Sequence, residues 1–275
     1  MELNKKNTLI LSVAQGLSIT TTNINMINTG LVGTILSANS ALATLPLSIQ
    51  FLTIALSLIP VSLLMGKFGR RPMFLLGAFS AFLGCLIIAF SIYHRSFLLF
   101  IIGSILLGIS QANQQFYRYA AADNVSTNLK SKAISLVLAG GVIAAFIGPE
   151  ISKHSFDFFP DYIYLASYLL AALIQIINFV ILIFIKIDKP PPNKNLLRPL
   201  SNILVQKNLI IAILAAGVGY SLMSFIMTAT PLQIVNVCKL GDEVSATVIQ
   251  WHVIAMFAPS FSTGFIITKF GNKNV

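Results

Sequence analysis

The stretch Gly66-Lys67-Phe68-Gly69-Arg70-Arg71-Pro72 separates two long apolar runs, residues 41–65 and 73–93. A glycine followed by two arginines between apolar segments is typical of a short turn that ends one membrane span and starts the next. A weaker copy, Thr268-Lys269-Phe270-Gly271-Asn272-Lys273, comes near the end of the sequence. The shared Lys-Phe-Gly triplet predicts a chain made of two related halves.

The composition predicts a membrane protein. Hydrophobic residues make up 56% of the chain and charged residues 9%, and the mean hydropathy is +0.85, which is too apolar for a soluble domain. The first apolar segment has a second interpretation as a secretory signal, because Lys5 and Lys6 precede it, but no small-residue cleavage site follows. The segments long enough to span a bilayer are 8–32, 41–65, 73–93, 97–117, 133–152, 162–186, 208–235 and 244–268.

The net charge of +10 is explained by membrane orientation. If the N-terminus is cytoplasmic and each segment crosses once, only Arg95, Lys153 and Lys239 among the basic residues fall on the outer side. This asymmetry follows the positive-inside rule. We therefore expect an inner (plasma) membrane protein with a cytoplasmic N-terminus and no nucleic-acid partner.

The run Pro190-Pro191-Pro192 predicts the main domain boundary, because consecutive prolines forbid helix continuation. We predict a six-helix bundle over residues 1–187, a cytoplasmic loop over 188–207 and a partial second bundle over 208–275. The two basic turns follow the second and the eighth predicted spans, so the six-helix unit recurs in parallel orientation. Halves related in this way are typical of one large class of transporters.

The residues from Ser62 to Arg71 resemble the signature loop of the major facilitator superfamily, Gly-x-x-x-Asp-Arg-x-Gly-Arg-Arg. Gly69, Arg70 and Arg71 match, whereas Gly66 replaces the acid that the family uses to latch the cytoplasmic ends of its two bundles. In the second copy Thr268 takes that position. The resemblance implies an all-α, polytopic membrane fold in which both copies lack the latching acid.

The fifth predicted span carries two rows of small residues at four-residue spacing. Such rows let a second helix approach closely within the membrane. The end of the span, Gly148-Pro149, matches the end of the family's helix-5 motif, which is associated with exporters. The first row is Gly140, Ala144 and Gly148, and the second is Gly141, Ala145 and Pro149.

Polar stripes on three spans predict the substrate pathway, because polar side chains inside a bilayer are costly unless they face a cavity or another helix. The resemblance implies that helices 1, 4 and 7 line the family's central cavity, and these are the spans that carry the stripes. A second interpretation is that the same side chains tie helices together. Spans 3 and 6 are nearly free of such residues and are predicted to face lipid. The candidate pathway residues are Gln15, Ser18, Thr22, Asn25, Gln111, Gln114, Gln115, Tyr220, Ser221, Ser224 and Thr228.

Charged residues near the membrane are the candidates for gating and coupling. Arg118 and Asp123 form a gate pair or are simply interfacial charges, and both interpretations stay open. Glu150 either carries a coupling proton or lies at the outer interface beside Lys153. Together with the motif residues, the predicted gating and coupling set is Gly69, Arg70, Arg71, Arg118, Asp123, Gly148, Pro149 and Glu150.

No enzyme motif, cofactor site or metal-ligand set is predicted. The resemblance implies secondary transport of a small organic solute by alternating access, with proton-coupled export as the family's common mode, and a non-transporting receptor or scaffold as the alternative. The uncharged stripes favour a neutral or amphipathic solute, although Arg118 would admit an anion. We expect that four further helices are needed to complete the second bundle, and that this chain alone is unstable or inactive unless another chain completes it.

Overall fold

The computed structural model describes residues 5–123, 125–126, 129–187, 205–259 and 266. All regular structure within these ranges is helical. A 3₁₀ turn (Ser40–Leu42) precedes α2, and a π-helical turn (Gln233–Val237) follows α8. The helices are α1 (Lys5–Leu36), α2 (Leu45–Phe68), α3 (Arg70–Tyr93), α4 (Phe97–Gln114), α5 (Tyr117–Asp123), α6 (Lys130–Ser155), α7 (Leu165–Ile183), α8 (Lys207–Leu232) and α9 (Asp242–Phe257).

The helices confirm the predicted all-α, polytopic membrane fold. Helices α4 and α5 together form the fourth predicted span, so α6 to α9 correspond to spans 5 to 8. Six helical segments within the described ranges are long and apolar enough to cross a membrane. They are Ser40–Phe68, Arg70–Tyr93, Phe97–Asp123, Lys130–Ser155, Leu165–Ile183 and Lys207–Val237.

The turn between α2 and α3 depends on Gly69. Its φ of 91° lies in the left-handed region that favours glycine, and its amide donates a 2.9 Å hydrogen bond to the carbonyl of Met65. The turn reverses the chain so that α2 and α3 are antiparallel. We call the end of the molecule with this turn the basic end and the end with Asp157, Asp161 and Asp242 the acidic end. The second copy, 268–273, and most of the predicted loop 188–207 lie outside the described residues, so the bounds of the three predicted domains stay predictions.

Helix α1 lies at the centre and packs closely on α6. A Cβ atom added at Gly140 would lie 2.1 Å from the carbonyl oxygen of Ser12, and one added at Gly16 would lie 2.9 Å from that of Gly140. Between the same helices, the Ser12 hydroxyl donates to Leu136 O at 2.8 Å and the Asn23 amide to Ala144 O at 3.1 Å. The first row of small residues on α6 thus makes a close helix contact.

The prediction that spans 3 and 6 face lipid is wrong for one side of each helix. Helix α3 buries Phe74, Cys85 and Ile88 against its neighbours. Helix α7 turns Gln175 and Asn178 towards α1 and leaves Leu173 and Val180 exposed on its other side. The polar residues of α7 are too few to form a stripe in the sequence, but they lie on the buried side of the helix.

The two helices of the second half, α8 and α9, pack against the six-helix unit at the acidic end. Helix α9 packs against the second small-residue row of α6, where a Cβ atom at Gly141 would lie 2.8 Å from the Phe257 ring. Helix α8 meets α1 at Leu232, whose side chain lies 3.3 Å from a Cβ built on Gly30. On its basic half, nearly all residues of α8 from Lys207 to Leu222 are exposed. A space therefore opens between the halves towards the basic end.

Candidate functional site

A cavity lies between α1, α4 and α5 on one side and α8 and α9 on the other. Its volume is about 930 Å³, counted with the space that is open to the surroundings. Its polar wall consists of Gln15, Thr22, Asn23, Gln111, Gln114, Gln115 and Arg118. Its apolar wall consists of Ile19, Met26, Phe51, Leu138, Met223, Met227, Met256 and Phe257, with Tyr220 beside Phe51.

Six of the predicted pathway residues line this cavity. Gln15 and Thr22 come from α1, and Tyr220 comes from α8. Thr22 accepts a 3.0 Å hydrogen bond from the Gln111 amide, which joins the stripes of α1 and α4. The other two are Gln114 and Gln115, and Arg118 from the predicted gating set lies beside them.

Ser18 and Asn25 face the interior of the six-helix unit. Ser18 accepts a 3.0 Å hydrogen bond from Asn178, while Asn25 donates to Gln50 at 2.9 Å and accepts from the Tyr168 hydroxyl at 3.2 Å. Both line a small internal polar pocket rather than the cavity. For these two residues the structure favours the second interpretation, in which polar side chains tie helices together.

The polar residues predicted on α8 also divide into one that lines the cavity and three that do not. Ser221 is exposed, and the Thr228 hydroxyl returns a 2.7 Å hydrogen bond to the carbonyl of Ser224. Ser224 is half-buried, and its hydroxyl has no partner among the described residues. None of the three lines the cavity, so Tyr220 is the only predicted α8 residue in the described part of its wall.

Apart from Tyr220, the residues of the apolar wall were not predicted from the sequence. Phe51 and Tyr220 meet edge to face with ring centroids 6.1 Å apart, an arrangement that aromatic rings prefer. Four methionines also belong to this wall, and their flexible thioethers adapt to flat ligands. Within an apolar span such residues carry no polarity signal, so only the packing of α8 and α9 reveals them.

The acidic end of the cavity is closed by contacts between the halves. Met26 and Met227 are both buried in one apolar cluster that α1, α6, α8 and α9 share. The Tyr164 hydroxyl, just before α7, donates a hydrogen bond to Asp242 at the start of α9. Burial, and secondarily the bond to Asp242, raises the pKa of Tyr164, so the hydroxyl stays protonated and remains a donor at physiological pH.

Glu150 also belongs to this contact region. Its carboxylate lies 3.2 Å from His154 Nε2 and accepts a 3.4 Å hydrogen bond from Gln250 on α9. Among the described residues Lys153 makes no ion pair with it. Gly148 and Pro149, the two residues before Glu150, are buried, and a Cβ at Gly148 would lie 2.8 Å from Asn23 Cβ. Glu150 therefore joins α6 to α9 at the acidic end.

Charged side chains at the basic end make their contacts within the six-helix unit. Asp123 forms an ion pair with Arg70 and not with Arg118, and Arg71 donates a 2.7 Å hydrogen bond to Ile183 O. The proposed Arg118–Asp123 pair is thus absent from the described contacts, because the α2–α3 turn places Arg70 closer to the end of α5. Arg118 instead lies over the Tyr119 ring, 5.0 Å from its centroid.

Comparisons with known proteins agree with this architecture. The sequence profile of the Major Facilitator Superfamily matches residues 10–275. A protein of Brucella anthropi named riboflavin transporter RfnT is 37% identical over 98% of this chain and 69% of its own length. Two Bacillus subtilis proteins named as uncharacterized MFS-type transporters are also similar: YdeG is 27% identical over 98% of this chain and 66% of its own length, and YddS is 24% identical over 76% and 52%. The chain belongs to the major facilitator superfamily.

Proposed function

We propose that this chain takes part in moving a small, neutral or amphipathic organic solute across the plasma membrane by alternating access. The observation that carries the proposal is the cavity between the two halves, with one amide-rich wall and one aromatic and thioether wall. Halves of this kind work by rocking around a site between them. Membership of a transporter family supports a transporter rather than an enzyme.

The positive-inside rule supports a cytoplasmic basic end, and hence a cytoplasmic N-terminus. In that orientation the conformation described is open to the cytoplasm, because contacts between α1, α6, α8 and α9 close the acidic end. Alternating access then requires those contacts to break and the basic half of α8 to approach α4 and α5. In bacteria, the corresponding membrane is the inner membrane.

Riboflavin is the leading candidate solute. The relative RfnT is named a riboflavin transporter, and 98% of this chain takes part in the similarity. A flavin has a flat, fused ring system and a polar ribityl chain, which suit an aromatic and thioether wall facing a wall of amides.

Proton coupling through Glu150, with export of the solute, is the coupling mode that we propose. Glu150 is the carboxylate that bridges α6 and α9, so a change in its charge would act on a contact that must break during the cycle. Glu150→Gln removes the titratable group and keeps the hydrogen-bonding shape. We expect transport by this variant to lose its dependence on the proton gradient; an unchanged dependence would remove Glu150 from coupling.

Flux measurements test the function itself. The product of the complete gene is reconstituted into liposomes, and labelled riboflavin is followed on both sides of the membrane. A transporter gives saturable flux that excess unlabelled riboflavin competes away. Saturable binding without net flux would instead favour a receptor or scaffold and would contradict the proposal.

A further inference from the structure

Two side chains that line the cavity each carry a buried polar atom without a hydrogen-bond partner among the described residues. The two atoms are Gln15 Oε1 and Arg118 Nε. Buried polar atoms in proteins are nearly always paired, and the other atoms left without partners in the described ranges belong to residues that do not line this cavity. The rest of each side chain lines the cavity, so a rotation of the amide or guanidinium group would bring the unpaired atom to a ligand.

Three of the neighbouring polar residues already have partners. Thr22 and Gln111 bind each other at 3.0 Å, and Asn23 donates to Ala144 O at 3.1 Å. Arg118 has one partner of its own, because its terminal nitrogen donates to Gln115 at 3.4 Å. Its Nε–H remains available, and the nearby carboxylate of Asp123 is engaged with Arg70.

The chemistry of the two free atoms defines a complementary ligand group. An amide oxygen accepts and an Nε–H donates, so the ligand must present a donor and an acceptor together. The positive charge of Arg118 favours a carbonyl oxygen over a cationic group. A lactam or imide edge, in which an N–H lies beside a C=O, meets both requirements, and a flat ring that carries such an edge fits against Phe51 and Tyr220.

We infer that Gln15 and Arg118 select solutes with a lactam or imide edge on a flat heteroaromatic ring, Gln15 accepting from the N–H and Arg118 donating to the carbonyl. The inference rests on the proposed transport function and deepens it. The isoalloxazine ring of a flavin carries an imide of this kind. Specificity of this type is strong because a ligand without the N–H leaves a buried acceptor unpaired.

Two probes differ only in that group: riboflavin, and 3-methylriboflavin, in which a methyl replaces the imide hydrogen. Binding of both is measured with the purified, monodisperse product of the complete gene. The wild type is expected to bind riboflavin about 10-fold to 100-fold more tightly than the methyl derivative. In Gln15→Leu this ratio is expected to fall to about 1, whereas Gln15→Glu, which keeps an acceptor, is expected to retain it.

Two further variants complete the test. Ser18→Ala, on the same helix but outside the cavity wall, is expected to keep the wild-type ratio. Arg118→Lys keeps the charge but loses the Nε–H, and is expected to weaken both flavins by similar factors with the ratio preserved. Riboflavin binding without discrimination, or a ratio that Gln15→Leu leaves unchanged, overturns the inference alone. Binding of neither flavin by the wild type overturns the proposed solute as well.

Discussion

The contact between α1 and α6 predicts a specific sensitivity at Gly140. In Gly140→Ala the new methyl group would lie 2.1 Å from the carbonyl oxygen of Ser12, well under the shortest distance that real Cβ atoms reach. The obstacle is backbone, so a side-chain rotation cannot relieve it. The two helices must move apart by about 1.3 Å before the contact becomes ordinary, and small residues at such interfaces exist to permit close packing.

The magnitude follows from two opposing effects. Overpacking costs about 1–3 kcal/mol, while replacing glycine by alanine inside a helix gains about 0.8–1 kcal/mol. Gly66→Ala is the matched control, because Gly66 also lies in a helix and, in the described part of the chain, no atom outside that helix backbone lies within 4 Å of its added methyl group. The helical gain is common to both variants, so the free energy of unfolding should be about 1–3 kcal/mol lower for Gly140→Ala than for Gly66→Ala.

Cys85 provides the assay, since its thiol is fully buried and becomes reactive only on unfolding. The exposed Cys238 is first replaced by serine. Unfolding in mixed micelles is then followed by the reaction of Cys85 with a fluorescent thiol reagent. If the two glycine variants unfold within about 0.5 kcal/mol of each other, the close α1–α6 contact is not the one described.

Two further substitutions test the other contacts. Tyr164→Phe removes the donor to Asp242 and should favour opening of the acidic end by about fivefold, for a hydrogen bond of about 1 kcal/mol. Opening is measured as the rate at which a thiol reagent labels Met227→Cys, with Tyr162→Phe as the control. An unchanged labelling rate in Tyr164→Phe would refute the prediction. Gln175→Leu removes the 2.7 Å bond to Thr21 and should lower the free energy of unfolding by about 0.6–1.7 kcal/mol. Ile176→Leu, which changes an exposed neighbouring residue, is the control. Equal stability of the two variants would count against a stabilising hydrogen bond between α7 and α1.

The fold was largely predictable, because length, hydropathy and basic turns are properties that the bilayer imposes on the sequence. The spans and the turn at Gly69 follow from these local signals. The burial of α7 did not, because from Leu169 onwards its exposed and buried sides are both apolar apart from Gln175 and Asn178. Two isolated amides do not form a stripe, so only their hydrogen bonds to α1 reveal which side packs.

The candidate site was predictable on its polar wall and at Tyr220, but not on the rest of its apolar wall. The sequence marks Gln15, Thr22 and Gln111 as costly in lipid, and they do line the cavity. It also marks Ser18 and Asn25, because a periodicity of about 100° per residue does not separate a cavity from a neighbouring helix. Partners that come from distant parts of the chain, such as Asn178 for Ser18, decide between the two.

The central claim is that the cavity between the halves is the solute pathway, and a blocking experiment tests it most directly. In a Cys238→Ser background, Met223→Cys places a thiol in the cavity wall and Phe225→Cys places one on the exposed side of the same helix. Riboflavin counterflow is measured in proteoliposomes before and after treatment with a bulky thiol reagent. The account predicts that modification at position 223 abolishes counterflow while modification at 225 leaves it intact; equal sensitivity, or none at 223, would contradict it.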